Sequence, residues 1–172
     1  MDHLYASPVI LDYIKKKKLK NLTVVSPDVG GIKMARAYAK GLNADLAIVD
    51  KRRSGPDEVE AMNLIGEVKG RTVLITDDMI STGGSLAEAV NALVSFGAKD
   101  IYASCTHAIL SGNAVQKLEK TALKEIVVTD TIPIPPEKRI KKITVLTVAP
   151  LLGEAIERIH NEASISSLFN DL

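Results

Sequence analysis

The chain is 172 residues long and 46% apolar, enough for one domain with a sizeable core and too short for two ordinary ones. Lysine plus arginine (22) nearly balances aspartate plus glutamate (21), so no global field recruits nucleic acid or an anionic membrane, and any anion must be bound locally. The six aromatic residues include no tryptophan, which argues against a base-stacking surface, and the lone Cys105 in the apolar run IYASC reads as a buried core residue in a reducing cytoplasm.

No run approaches the roughly 20 apolar residues of a membrane span, and MDHLYASP has no signal-peptide character, so a soluble protein is expected. Along the chain, PVILDYIKKKK carries helical periodicity and LTVVSPD is a short apolar strand ended by a proline turn. IKMARAYAKGL is helical, DLAIVDKRR is a strand running into a basic loop, and AMNLIG is a weak strand before a turn at VKG. RTVLITDD is the strongest strand. SLAEAVNALVSFGAKD is a helix with Leu86, Val90 and Leu93 on one face and Gly97 at its end. DIYASCTH (strand), GNAVQKLEK (helix), EIVVTD (strand), the proline-marked loop IPIPPEKRIKK, KITVLTV (strand) and LLGEAIERIHN (helix) complete the order. Strands that alternate with helices and are continuously apolar predict an α/β fold: a doubly wound, mostly parallel sheet with helices on both faces, in a single domain over residues 1–172.

In such sheets ligands bind outside the carboxyl ends of the strands, where the strand order reverses. Three strand-end loops carry unusual chemistry: SPDVGG at 26–31, DKRRSGPDE at 50–58 and TDDMISTGGS at 76–85. In the last, Gly83 and Gly84 can turn amide N–H groups toward a phosphate, the helix expected to open at Ser85 adds its unsatisfied N–H groups, and Ser81, Thr82 and Ser85 add hydroxyls. A capping box between Ser85 and Glu88 is the bland alternative. Adjacent Asp77 and Asp78 at a buried strand end repel each other and need hydroxyl, N–H or cationic partners, which a ribose diol or a magnesium–sugar complex would supply. No GxxxxGK[ST] and no GxGxxG is present. His3, His107 and His160 lack the spacing of a ligand set, so no metal centre is expected from them.

The carboxylate pair, hydroxyls and two glycines between a strand and a helix resemble the ribose 5-phosphate loop of type I phosphoribosyltransferases and phosphoribosyl pyrophosphate synthetases. DKRR followed by an acidic stretch and EAMNLIG, together with SPDVGG, MDHLYASP, CTHAILSGNAV and NEASISSLF, resembles the synthetases in particular, along the whole chain but only over their C-terminal half. The resemblance implies transfer of the β,γ-diphosphoryl group of MgATP to the anomeric hydroxyl of ribose 5-phosphate, giving phosphoribosyl pyrophosphate and AMP. It implies Lys51 and Arg53 as catalytic cations, and Asp77 and Asp78 on the ribose hydroxyls. It places Ser81, Thr82, Gly83, Gly84 and Ser85 on the 5-phosphate, and Asp28, Gly30 and Gly31 along the adjoining pocket. Most ATP contacts and the Mg2+-holding residues would belong to a preceding domain, and the full-length family forms homo-oligomers, hexamers among them. Ser81 departs from the frequent aspartate, which leaves its own role open. Two rivals stand beside this reading: a nucleobase phosphoribosyltransferase, for which no aromatic hood is visible, and a non-catalytic regulatory paralogue, which would have no use for Lys51, Arg53 and both aspartates.

Overall fold

The computed structural model describes residues 4–52 and 61–168. Helix α1 (Ser7–Lys17) leads into strand β1 (Leu22–Ser26), helix α2 (Ile32–Leu42) and strand β2 (Asp45–Arg52). Strands β3 (Ala61–Ile65) and β4 (Thr72–Ile80) follow, then helix α3 (Gly84–Ser95), strand β5 (Asp100–Ala108), helix α4 (Ala114–Glu119) and strand β6 (Leu123–Thr129). A 3-10 turn at Pro136–Lys138, strand β7 (Ile143–Leu146), helix α5 (Ala149–His160) and a second 3-10 turn at Ser166–Leu168 close the order. One seven-stranded sheet runs β3-β2-β1-β4-β5-β6-β7. Every pairing is parallel except β2 with β3, an antiparallel hairpin at the edge.

The pattern follows from burial on two faces. Val73 and Ile75 of β4 pack with Leu86, Ala89, Val90 and Leu93 of α3, while Leu74 packs with Val24 of β1 and with Ile10, Ile14, Ala35 and Tyr38 of α1 and α2. Successive residues of a strand point to opposite faces, so a strand covered on both sides must be apolar throughout, as TVLIT is almost to its end. The chain steps from β1 outward to β2, then returns to place β4 on the other side of β1. The strand order thus reverses between β1 and β4, and the loops after these two strands flank that point.

The expected α/β class and element order hold, with three differences at the edges of elements. β4 continues through Asp77, Asp78 and Met79 to Ile80, because β5 runs beside it to Ala108; the carboxylates therefore lie within a strand instead of at its end. α3 opens at Gly84, one residue before Ser85, and its N-cap is Gly83. The weak strand AMNLIG is real but antiparallel, since a hairpin returns the chain directly beside β2.

Candidate functional site

The loops after β1 and β4 emerge at the same edge of the sheet, where β2 also ends; residues 53–58 of the third loop singled out from the sequence lie outside the described residues. The field of Asp28 reaches Asp77, so the loop after β1 and the end of β4 share one site. Asp77 is half-buried and Asp78 exposed, where β4 passes from its buried stretch to the exposed residues Asp78 and Met79. Burial, above all, pushes the Asp77 carboxyl up to about 6; the neighbouring charges of Asp78 and Asp28 push the same way, against the Asp78 N–H that donates to Asp77 Oδ1 at 2.9 Å. A carboxyl held this way gains from any donor or cation that enters.

After β4 the chain turns through Ser81, Thr82 and Gly83. Gly83 sits at φ +70, and a Cβ there would lie 3.2 Å from Leu118 of α4, so this position needs glycine both for its backbone and for the packing of α4 behind it. The first intrahelical bond of α3 is from Ala87 N–H to Gly83 O, at 3.0 Å, which leaves the N–H groups of Gly84, Ser85 and Leu86 without a helical acceptor. Among the described residues no side chain caps this helix, so the capping-box alternative is not what the structure adopts. Ser81, Thr82 and Ser85 are exposed around these amides. Such a turn can take a phosphate monoester through N–H groups, hydroxyls and the positive end of the helix dipole.

The loop after β1 is tied to itself. Ser26 Oγ donates to Asp28 O at 2.6 Å, and Gly31 N–H donates to Asp28 Oδ1 at 2.9 Å. A Cβ on Gly31 would meet Ser26 Oγ at 2.8 Å, so the absence of a side chain there lets the turn fold down on β1, with Gly30 exposed beside it. Lys51 lies in β2, its backbone opposite Met62 of β3. Arg53 lies outside the described residues.

A loop outside those three lies against the turn at Ser81, Thr82 and Gly83. Leu110 N–H donates to Ile80 O at 3.0 Å and Ser111 N–H to Ser81 O at 2.9 Å, so the β4–β5 ladder continues past both strands. Leu110 is fully buried at φ +49, a conformation that costs a side-chain-bearing residue about 1–3 kcal/mol. Nothing local in AILSGN announces it. His107 is exposed at the end of β5, its Nδ1 3.0 Å from Thr131 Oγ1. Cys105, opposite Asp77 in the register, is buried, and burial followed by the charges of Asp77 and Asp78 pushes its thiol up to about 12, which makes it an inert core residue as expected.

Among the described residues no group of three or more histidine, cysteine or acidic side chains could hold a metal ion, and no helix is long and apolar enough to cross a membrane. Magnesium is commonly held by one or two carboxylates and the phosphates of its substrate, with waters filling the rest, and the acidic edge of Asp28, Asp77 and Asp78 fits that open mode without forming a cage. A concavity of about 660 Å3 at the other end of the sheet, lined by Asn21, Asn43, Asp45, Lys69 and Arg71, contains none of these groups.

With this geometry in view, the likenesses to known proteins are specific. A ribose-phosphate pyrophosphokinase from Gloeobacter violaceus is 54% identical over 98% of this chain and 51% of its own length. The crystal structure of phosphoribosylpyrophosphate synthetase from Mycobacterium smegmatis superposes with a TM-score of 0.87 at 38% identity, over 94% of this chain and 53% of that one. Orotate phosphoribosyltransferase from Aeropyrum pernix, 20% identical with a TM-score of 0.52 over 86% of this chain and 75% of that one, shares the fold alone. The chain thus spans about half the length of the curated relatives it matches. The family model described as the phosphoribosyl synthetase-associated domain matches residues 51–170, from the strand that carries Lys51 through the carboxylates and the glycine turn to beyond α5, and the chain belongs to that family.

Proposed function

We propose that this chain is the sugar-phosphate half of a ribose-phosphate pyrophosphokinase of the cytoplasm, corresponding to the C-terminal domain of a two-domain enzyme. The full reaction moves the β,γ-diphosphoryl group of ATP to the anomeric oxygen of ribose 5-phosphate and releases AMP. The observation that carries the reading is the run from a burial-penalised carboxylate, Asp77, into a side-chain-free helix N-terminus at the point where strand order reverses. Spaced this way, the two features match the two ends of a phosphorylated sugar.

In this reading Asp77 and Asp78 accept hydrogen bonds from the ribose hydroxyls, and the satisfied Asp77 carboxylate is the form that persists. The amides of Gly83 and Gly84 and the hydroxyls of Ser81, Thr82 and Ser85 hold the 5-phosphate and so fix the anomeric oxygen relative to the loop after β1. Asp28, Gly30 and Gly31 line the place where the diphosphate of ATP would lie. Mg2+ bound with ATP neutralises phosphate charge. Lys51 of β2, together with Arg53, stabilises charge that develops on the transferring group, the chief demand of phosphoryl-type transfer. Full-length relatives supply the rest of the ATP site, and a homo-oligomer is expected; the exposed apolar stripe of Leu152, Ile156 and Ile159 on α5 supports association.

The test separates the substrates. The 172-residue chain should bind ribose 5-phosphate or phosphoribosyl pyrophosphate weakly in a calorimeter, bind ATP poorly, and form no AMP above background when given both. Asp77→Asn with Asp78→Asn should weaken the sugar phosphate in a folded protein. Unchanged affinity in that variant removes the diol assignment, and robust AMP release by the chain alone removes the half-enzyme reading.

A further inference from the structure

The loop after β5 is built against the phosphate turn in a way the proposed chemistry has not yet used. Ser111 Oγ lies 3.4 Å from Ser81 Oγ, beyond the usual 2.5–3.0 Å of a good O–H···O bond, so neither hydroxyl proton is committed to the other. Three constraints hold Ser111 there. Its N–H donates to Ser81 O at 2.9 Å. The buried Leu110 before it is held at φ +49 with its N–H on Ile80 O. Lys138, from the 3-10 turn before β7, donates from Nζ to Leu110 O at 2.7 Å. A left-handed leucine is unfavourable and persists only where its surroundings over-determine it, so the corner has a use besides connection.

From these contacts we infer that Ser111 is a further phosphate-binding residue of the proposed ribose 5-phosphate site, and that Lys138 is a positioning residue that acts through it. The inference rests on the sugar-phosphate reading and deepens it. A phosphate oxygen seated over the Gly84 and Ser85 amides would draw the Ser81 and Ser111 hydroxyls together as donors from two loops. Ser111 also bears on Ser81: a hydroxyl at 81 suits a second hydroxyl beside a dianion. Lys138 spends its charge on the Leu110 carbonyl and sets the height of the Ser111 hydroxyl.

The experiment is titration of ribose 5-phosphate into the wild-type chain, Ser111→Ala, Ser111→Thr, Lys138→Met and the Ser111→Ala/Lys138→Met pair, with thermal melts of each. Ser111→Ala should lose about tenfold in affinity, the scale of one hydroxyl donor to a charged acceptor, with an unchanged melting temperature. Ser111→Thr should restore most of it, which a merely structural role for the loop would not require. Lys138→Met should lose less, and should lose nothing further in the Ser111→Ala background. Wild-type affinity in Ser111→Ala overturns the inference and leaves the sugar-phosphate site standing. A full Lys138→Met effect in the double variant overturns the positioning role. Failure of the wild-type chain to take ribose 5-phosphate overturns the site reading itself, and this inference with it.

Discussion

The loops after β1 and β4 stand side by side at the reversal of strand order, and each leads a parallel strand into a helix through two glycines, yet they differ in what they leave available. After β1, Asp28 already accepts from Gly31 N–H and Ser26 already donates to Asp28 O. After β4, Gly83 is left-handed, no described side chain caps α3, and the amides of its first turn are open. Neither helix has a side-chain cap, and each makes its first intrahelical bond to the glycine before it, from Ala35 N–H to Gly31 O and from Ala87 N–H to Gly83 O; what differs is the lining of the turn, the Asp28 carboxylate after β1 and the hydroxyls of Ser81, Thr82 and Ser85 after β4. The loop after β1 is therefore suited to aim Asp28, and the loop after β4 to receive phosphate. Both are tied to the sheet, and in the proposed reading the transition-state charge falls to Lys51 of β2.

The largest expected effect tests that division. In a full-length enzyme Lys51→Ala should lower kcat by about 100-fold or more, the scale of one preorganised charge donor, with a smaller change in KM. Steady-state kinetics with near-normal kcat would return the transition-state role to one of the tied loops. Next, Gly83→Ala should cost about 1–2 kcal/mol in thermal or urea unfolding and weaken ribose 5-phosphate, since the new Cβ meets a left-handed φ and the Leu118 side chain together. A Cβ on Gly31 would meet Ser26 Oγ at 2.8 Å, but the residue sits at φ -80, open to any side chain, so Gly31→Ala should cost less; equal losses would erase the contrast.

Asp77 gives a pH signature. Its carboxyl is raised from the ordinary 3.8 to about 6, so between those values the folded chain binds more protons than the unfolded one, and the unliganded protein should lose stability as pH rises through that window. Affinity for ribose 5-phosphate should rise over the same interval, because the ionised form is the acceptor. The substrate phosphate titrates near pH 6 as well. Asp77→Asn is therefore the control: its stability profile should flatten, and its affinity profile should keep only the phosphate component.

The smallest effect concerns the hydroxyls beneath the two loops. Thr76 and Ser104 are register partners on β4 and β5, Ser26 is the last residue of β1, and all three are buried; Ser26 has a hydrogen-bond partner, while the Thr76 and Ser104 hydroxyls have none among the described residues. Ser26→Ala should destabilise by about 1 kcal/mol, and Thr76→Val, which removes an unpaired buried hydroxyl at nearly constant volume, should stabilise by a similar amount. Chemical denaturation reads both signs. A destabilised Thr76→Val would reveal an ordered water beneath the site and weaken the claim that only the β1 side is internally satisfied.

What the amino-acid sequence determined by itself was everything that depends on near neighbours. The apolar run VLIT, the spacing of Leu86, Val90 and Leu93, and the glycines before SLAEAV dictate strand, turn and helix through period and backbone freedom, and with them the α/β class and the glycine turn before α3. The resemblance that pointed to a synthetase also rested on contiguous motifs. Tertiary structure decided what depends on pairing between distant segments. β4 reaches Ile80 because β5 lies beside it, and that register leaves Asp77 half-buried and Asp78 exposed, two residues that look alike in TDD. AMNLIG became antiparallel because the hairpin returns it along β2. Leu110 is forced left-handed, and Ser111 is brought to Ser81, by hydrogen bonds from segments 28 and 30 residues away. Local preferences fix a residue's period and its rotamers; which face it shows, and which loop it meets, is set when strands choose their partners.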